Sequence, residues 1–127
     1  AGASGVIILN GCADPYGSKA LRATMGSIFR VPIYEVFDED RLFSYLIDIN
    51  THIMISHLDG DSLFNWEGDP NRVALVIGNE GRGVRDELLQ YASSLVKIPM
   101  LGGAESLNAS VAAGIIIYEV VRRKCKI

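Results

Sequence analysis

Two glycine-bearing loops hold the residues whose types and spacing could do chemistry. The first, Gly78-Asn79-Glu80-Gly81-Arg82-Gly83, directly follows the apolar run Val73-Ala74-Leu75-Val76-Ile77. Its glycines let the backbone turn sharply and come close to a ligand, and Glu80 would place a carboxylate where it can point into a crevice. No Gly-Lys-Ser/Thr follows, and the glycine spacing is wrong for a dinucleotide fingerprint, so both phosphate-cradling loops are excluded. A plain tight strand-to-helix connection is the structural alternative. The second loop spans residues 98–110: a strand ends at Pro99, Gly102-Gly103 follows, and Glu105, Ser106, Asn108 and Ser110 form a polar cluster opening a helix. Helix capping by Ser106 or Asn108 would account for one of these residues. Two caps are not needed, however, and Leu107 between them is apolar. The other reading is a small ligand with apolar and anionic or carbonyl groups.

These loops need elements to position them. Residues 5–10 form a continuous apolar run ended by Asn-Gly and are expected as a buried strand. Ser18 is expected to cap a helix reaching about Phe29, with Leu21, Met25, Ile28 and Phe29 at helical spacing. Residues 31–35 follow as a short strand. Asp38 then caps a second helix to about Ile49, with Leu42, Tyr45, Leu46 and Ile49 on one face. Residues 52–56 are the next strand and 58–72 the longest irregular stretch, within which Trp66 packs onto the body. Residues 73–77 are the clearest buried strand, 84–91 a short helix, 95–98 another strand and 108–124 the last helix. Such alternation, with strands apolar on both faces, predicts an α/β fold: a mostly parallel sheet with helices on both faces. Ligands of such sheets bind at the carboxyl ends of the strands, where both loops fall.

Composition narrows the class. The chain has 127 residues, 49% of them hydrophobic and 21% charged, enough apolar material for a core and incompatible with disorder. Its net charge of −3 rules out a basic footprint over the whole chain. That charge is unevenly distributed: residues 35–69 sum to −8 and the remainder to +5. The acidic stretch is then either a solvated flank or a side facing away from an anionic partner. Cys12 and Cys125 make neither a metal spacing nor a disulfide framework, and His52 and His57, five apart on a strand, point to opposite faces, so no metal site is expected. No apolar run is long enough for a membrane span and no basic leader opens the chain, so a cytoplasmic, reducing location is expected. The last helix carries Val111, Ala112, Ala113, Ile115, Ile116, Ile117, Val120 and Val121 on nearly all sides. Burial on more than one face is expected, with a second copy as the natural cover, while Arg122, Arg123, Lys124 and Lys126 suit the helix end.

Residues 77–83 resemble the second motif of the SPOUT class of methyltransferases, in its SpoU/TrmH branch. Ile98-Pro99 through Ser106-Leu107-Asn108-Ala109-Ser110-Val111-Ala112, and on to Tyr118-Glu119, is similar to that branch's third motif. Residues 14–32, with Ala20-Leu21-Arg22-Ala23 and Gly26-Ser27, also resemble it, so the likeness spans essentially the whole chain. The resemblance implies a C-terminal deep trefoil knot and transfer of a methyl group from S-adenosylmethionine to a ribose 2′-hydroxyl of ribosomal or transfer RNA. It implies a cofactor pocket of Gly78, Ile98 and Leu107 with main-chain groups around Ser56 and His57, and polar residues Glu80, Ser106 and Asn108 near the reacting ribose, Ser110 ranking below them. It implies a homodimer through the last helix. Arg22, Arg30 and Arg82, with Lys19 and Arg85, are the candidates for a basic side facing RNA. The branch's first motif, an Asn with an Arg a few residues on, has no counterpart in the chain. The expectation is a single catalytic domain lacking its first strand and helix, inactive by itself. The alternative is a non-catalytic cofactor- or RNA-binding or dimerisation module of the same fold.

Overall fold

The computed structural model describes residues 1–125. Contacts along it cluster into two compact units, Ala1–Leu42 and one beginning at Phe43.

In the first unit β1 (Val6–Ile8) and β2 (Ile33–Glu35) pair in parallel, Val6 opposite Ile33 and Ile8 opposite Glu35. Between them runs α1 (Ser18–Ala23), which is shorter than its apolar spacing predicts. The chain leaves the helix because Met25 and Gly26 take left-handed backbone angles, with φ of 49° and 83°, before a 3₁₀ turn over Ser27–Phe29. Nor does Ser18 cap α1: Gly17 holds that position and offers no side-chain bond. β1 is not the buried strand its sequence suggests, since Val6 and Ile7 are exposed and no residue of this unit is buried. A two-stranded ribbon with one short helix supplies no second layer to cover it.

Helix α2 (Glu39–Asp48) starts as its sequence predicts, with the Arg41 backbone N–H donating to the Asp38 carboxylate at 3.1 Å. Its buried residue is Phe43, which stacks on the Tyr91 ring at 4.7 Å between centroids, whereas Tyr45 is exposed. The inward face is therefore turned from the expected one.

The second unit holds a parallel sheet ordered β4-β3-β5, from β3 (His52–Ser62), β4 (Val73–Val76) and β5 (Ser94–Lys97). β3 continues past Ser56 into the stretch expected to be irregular, and its pairing with β5 shifts between Ser56 and Asp61. Gly60 presses on β5 at this shift, where a Cβ would stand 2.6 Å from the Leu95 carbonyl carbon. The fully buried strand residues are Ile53, Met54 and Ile55 of β3 and Val96 of β5, whereas β4, expected as the most buried strand, is half-buried. β3 has neighbours on both sides and β4 lies at the edge. Parallel pairing is as the alternation predicts. The strands form two sheets rather than one, β1 with β2 in the first unit and β4-β3-β5 in the second.

The core gathers Met54, Leu63, Trp66, Val96 and Ile116, the last from α3 (Ala109–Cys125). Trp66 enters through a 3₁₀ turn over Leu63–Asn65 and packs as expected. The helix predicted over residues 84–91 is a 3₁₀ helix over Asp86–Tyr91. On α3, Ile116 is buried while Val111, Ile115 and Tyr118 are 49%, 38% and 61% exposed. Their i, i+4, i+7 spacing makes one open stripe, so this chain covers the helix on one side only. Arg122 and Arg123 both bond Glu119 rather than standing free at the helix end, and Lys126 lies outside the described residues. No helix among the described residues is long and apolar enough to cross a membrane.

Candidate functional site

The ladders of the second unit set the site. Ile55 lies opposite Val76 and Ser56 opposite Val96, so Gly78 and Ile98, just past the ends of β4 and β5, line up along the carboxyl edge of those strands, level with Ser56-His57, where the β3–β4 ladder ends within β3. This is the edge at which parallel sheets bind ligands. Ile98 packs against the core, and Leu107 lies on the segment leading into α3. The His57 ring is turned along its own strand: its Nδ1 accepts the Asp59 backbone N–H at 3.1 Å.

The first loop folds back on itself after β4. Asn79 and Gly83 exchange backbone hydrogen bonds, Asn79 N–H to Gly83 C=O at 3.1 Å and Gly83 N–H to Asn79 C=O at 2.8 Å. The Asn79 side-chain carbonyl also accepts the Gly81 N–H at 2.8 Å. Gly78 has a second requirement besides closeness to a ligand: a Cβ there would lie 2.1 Å from the Gly83 carbonyl carbon. Gly83 takes φ +68°, in open space. The closed loop carries Glu80 and Arg82 exposed at its tip. The sequence reading missed Asn79; its signal was Asn two before Gly, the pattern of a side chain closing its own turn.

The second loop delivers Asn108 as the N-cap of α3. Its carbonyl oxygen accepts the Ser110 N–H at 2.9 Å, the Val111 N–H at 3.4 Å and the Ser110 hydroxyl at 2.6 Å. Its amide nitrogen donates to a Glu80 carboxylate oxygen at 3.1 Å. Of the three polar candidates, Glu80 and Asn108 therefore meet, across 28 positions of sequence. Ser106 is exposed and has no hydrogen-bond partner among the described residues. Arg82 shares the Glu80 loop, while Arg22 and Arg30 belong to the first unit. Among the described residues no cluster of His, Cys, Asp or Glu could hold a metal ion.

A parallel sheet unit followed by a glycine loop and a carboxylate–amide pair defines the class as an α/β protein. Its relatives are more specific. The chain is 32% identical over 124 residues to the 23S rRNA (guanosine-2′-O-)-methyltransferase RlmB of Salmonella typhi, covering 98% of this chain and 51% of that protein. It is 33% identical to the 23S rRNA (adenosine(1067)-2′-O)-methyltransferase of Streptomyces azureus, covering 96% and 46%. Among solved structures it superposes on the SpoU methyltransferase AviRb from Streptomyces viridochromogenes in complex with AdoMet, at TM-score 0.88 and 31% identity over 98% of this chain and 51% of that one. An AdoMet-bound rRNA methyltransferase from Sinorhizobium meliloti gives TM-score 0.86 and 35% identity over 97% and 47%. The SpoU rRNA Methylase family model matches residues 1–118, and the chain belongs to that family. It spans about half the length, or less, of these relatives.

Proposed function

We propose that the chain is the S-adenosylmethionine-binding part of an RNA 2′-O-ribose methyltransferase. The observation that carries this reading is the Glu80–Asn108 hydrogen bond, which joins the two motif loops that follow β4 and β5. A ribose hydroxyl is a poor nucleophile and needs a base or a field that favours its ionised form. Glu80, held by Asn108 and open to solvent, is the group to accept that proton, with Ser106 and Asn108 as donors orienting the sugar. The cofactor supplies an already activated sulfonium methyl. The residue types present fit it: main chain at Ser56, His57 and Gly78 would offer polar groups, and Leu107, partly exposed, with Ile98, seated on the core, would offer apolar contact. The protein's work is to align the hydroxyl oxygen with the methyl group and exclude water.

The C-terminal loops are proposed to follow the knotted path that the third-motif resemblance implies, and the enzyme to act in the cytoplasm. RNA is proposed to meet Arg22, Arg30 and Arg82, and a second copy of the chain to cover the open stripe of the last helix, residues 108–124. Titration calorimetry with S-adenosylmethionine and its demethylated product tests the cofactor assignment: one site per chain is expected, and no binding of either overturns it. Transfer of labelled methyl groups by the longest form that the reading frame encodes, onto ribosomal or transfer RNA, tests the reaction. The label is expected on ribose, and label on a base would overturn the 2′-O assignment.

A further inference from the structure

Asn108 does two jobs that different residues could share. As an N-cap its carbonyl oxygen serves α3, and Asp or Ser would serve equally well there. Asp would repel Glu80, a Ser hydroxyl would have to accept and donate at one atom, and only an amide carries the acceptor for the helix and the donor to Glu80 on separate atoms. The donor reaches Glu80 only while the amide keeps one of its two flipped orientations. Backbone N–H groups of Ser110 and Val111 favour that orientation, but the Val111 bond is long at 3.4 Å and the whole cluster is exposed. The shortest bond to the carbonyl oxygen is the 2.6 Å one from the Ser110 hydroxyl, which has no structural duty to the helix.

We infer that Ser110 is a positioning residue: its hydroxyl pins the Asn108 amide so that the NH₂ group faces Glu80, fixing one carboxylate oxygen and leaving the other for the substrate hydroxyl. The inference rests on the methyltransferase reading for its consequence in the reaction, and on the hydrogen bonds alone for its structural part. Ser110 acts through Asn108 and touches no reacting atom.

The structural part is tested on the 127-residue chain by following the Asn108 side-chain NH₂ resonances. Ser110→Ala and Glu80→Gln are each expected to move them toward those of a free asparagine, and Ser110→Thr to leave them in place. Resonances unmoved by Ser110→Ala overturn the inference, whatever the chain transfers. The consequence is tested on the longest form encoded. Ser110→Ala is expected to lower kcat about 10- to 100-fold, the range for a misaligned reacting group, with cofactor affinity and melting temperature unchanged. Ser110→Thr restores kcat, and Asn108→Asp keeps the melting temperature while losing kcat. A Ser110→Ala enzyme with the parent's kcat, or one that Thr fails to rescue, overturns the inference. A parent enzyme that binds no cofactor and transfers no methyl group overturns the methyltransferase reading instead, leaving the resonance test to decide the positioning role.

Discussion

Gly78 illustrates how much of a site can rest on an absent side chain. Its Cβ would collide with the backbone of Gly83 and Val84, at 2.1 and 2.3 Å, so the loop bearing Glu80 closes only around glycine. Gly78→Ala is expected to cost about 1–3 kcal/mol in urea unfolding, the usual penalty of overpacking. Gly83→Ala meets no atom and bears only the left-handed backbone cost of about 1–2 kcal/mol, so the two should be distinguishable by whether cofactor binding survives. Arg82 at the loop tip is exposed with no ion pair among the described residues. If it contacts phosphate, Arg82→Ala should lower the slope of log affinity against log salt by about 1. The glycine pattern was legible in the sequence because turn chemistry is local. The collision that makes Gly78 obligatory was not, since it depends on where Gly83 returns.

At the scale of elements, one network joins the Trp66 turn to β3 and β5, and a second fastens α3 to that turn. Trp66 donates its indole N–H to His52 Nε2 at 3.3 Å, and Ser94 Oγ lies 2.8 Å from the same nitrogen. An indole can only donate, so Nε2 carries no proton and His52 is neutral. Burial holds its pKa below the ordinary 6.5. The unfolded chain therefore binds a proton first as pH falls, and this contribution to stability is present above pH 6.5 and lost below it. His52→Gln, which keeps an acceptor but does not titrate, should show a smaller loss of melting temperature between neutral and mildly acid pH. Glu119 titrates at the acid end. Hydrogen bonds from Arg122, and then Arg123, outweigh partial burial and hold its carboxyl down to about 2, well below the ordinary 4.5. Its contribution is present above pH 4.5 and lost as pH falls toward 2. The stability gap between the parent and Glu119→Gln should thus close over that range in chemical denaturation. Arg123 also bonds the Phe64 carbonyl at 2.9 Å and lies over the Trp66 ring, so these contacts fasten the helix end to the turn that carries Trp66. None of this was readable from the Arg-Arg-Lys run, which by charge alone suits a helix terminus.

At the scale of the molecule, apolar side chains among the described residues stand open on α3 and on the first unit. On α3 they make the stripe of Val111, Ile115 and Tyr118. If a second copy covers it, Ile115→Lys should halve the mass measured by sedimentation while leaving the helical signal intact. An unchanged mass would remove the helix from the interface. On the first unit Val6, Ile7, Met25 and Phe29 are all exposed. The exposure of Val6 and Ile7 departs from the burial expected of residues 5–10: an apolar run is recorded in the residues, but its cover is not.

The order of elements, the parallel connections, the Asp38 cap, the packing of Trp66 and the two motif loops were determined by the sequence itself. They follow from hydrophobic period, turn residues and cap chemistry, which act between near neighbours. Tertiary structure alone decided that β3 rather than β4 is the central, buried strand, that α1 stops at Ala23, and that Glu80 meets Asn108. Centre and edge depend on which strands pair. The meeting of Glu80 with Asn108, 28 residues apart, depends on two loops being brought together by β4 and β5, which flank β3, and by the helix that follows.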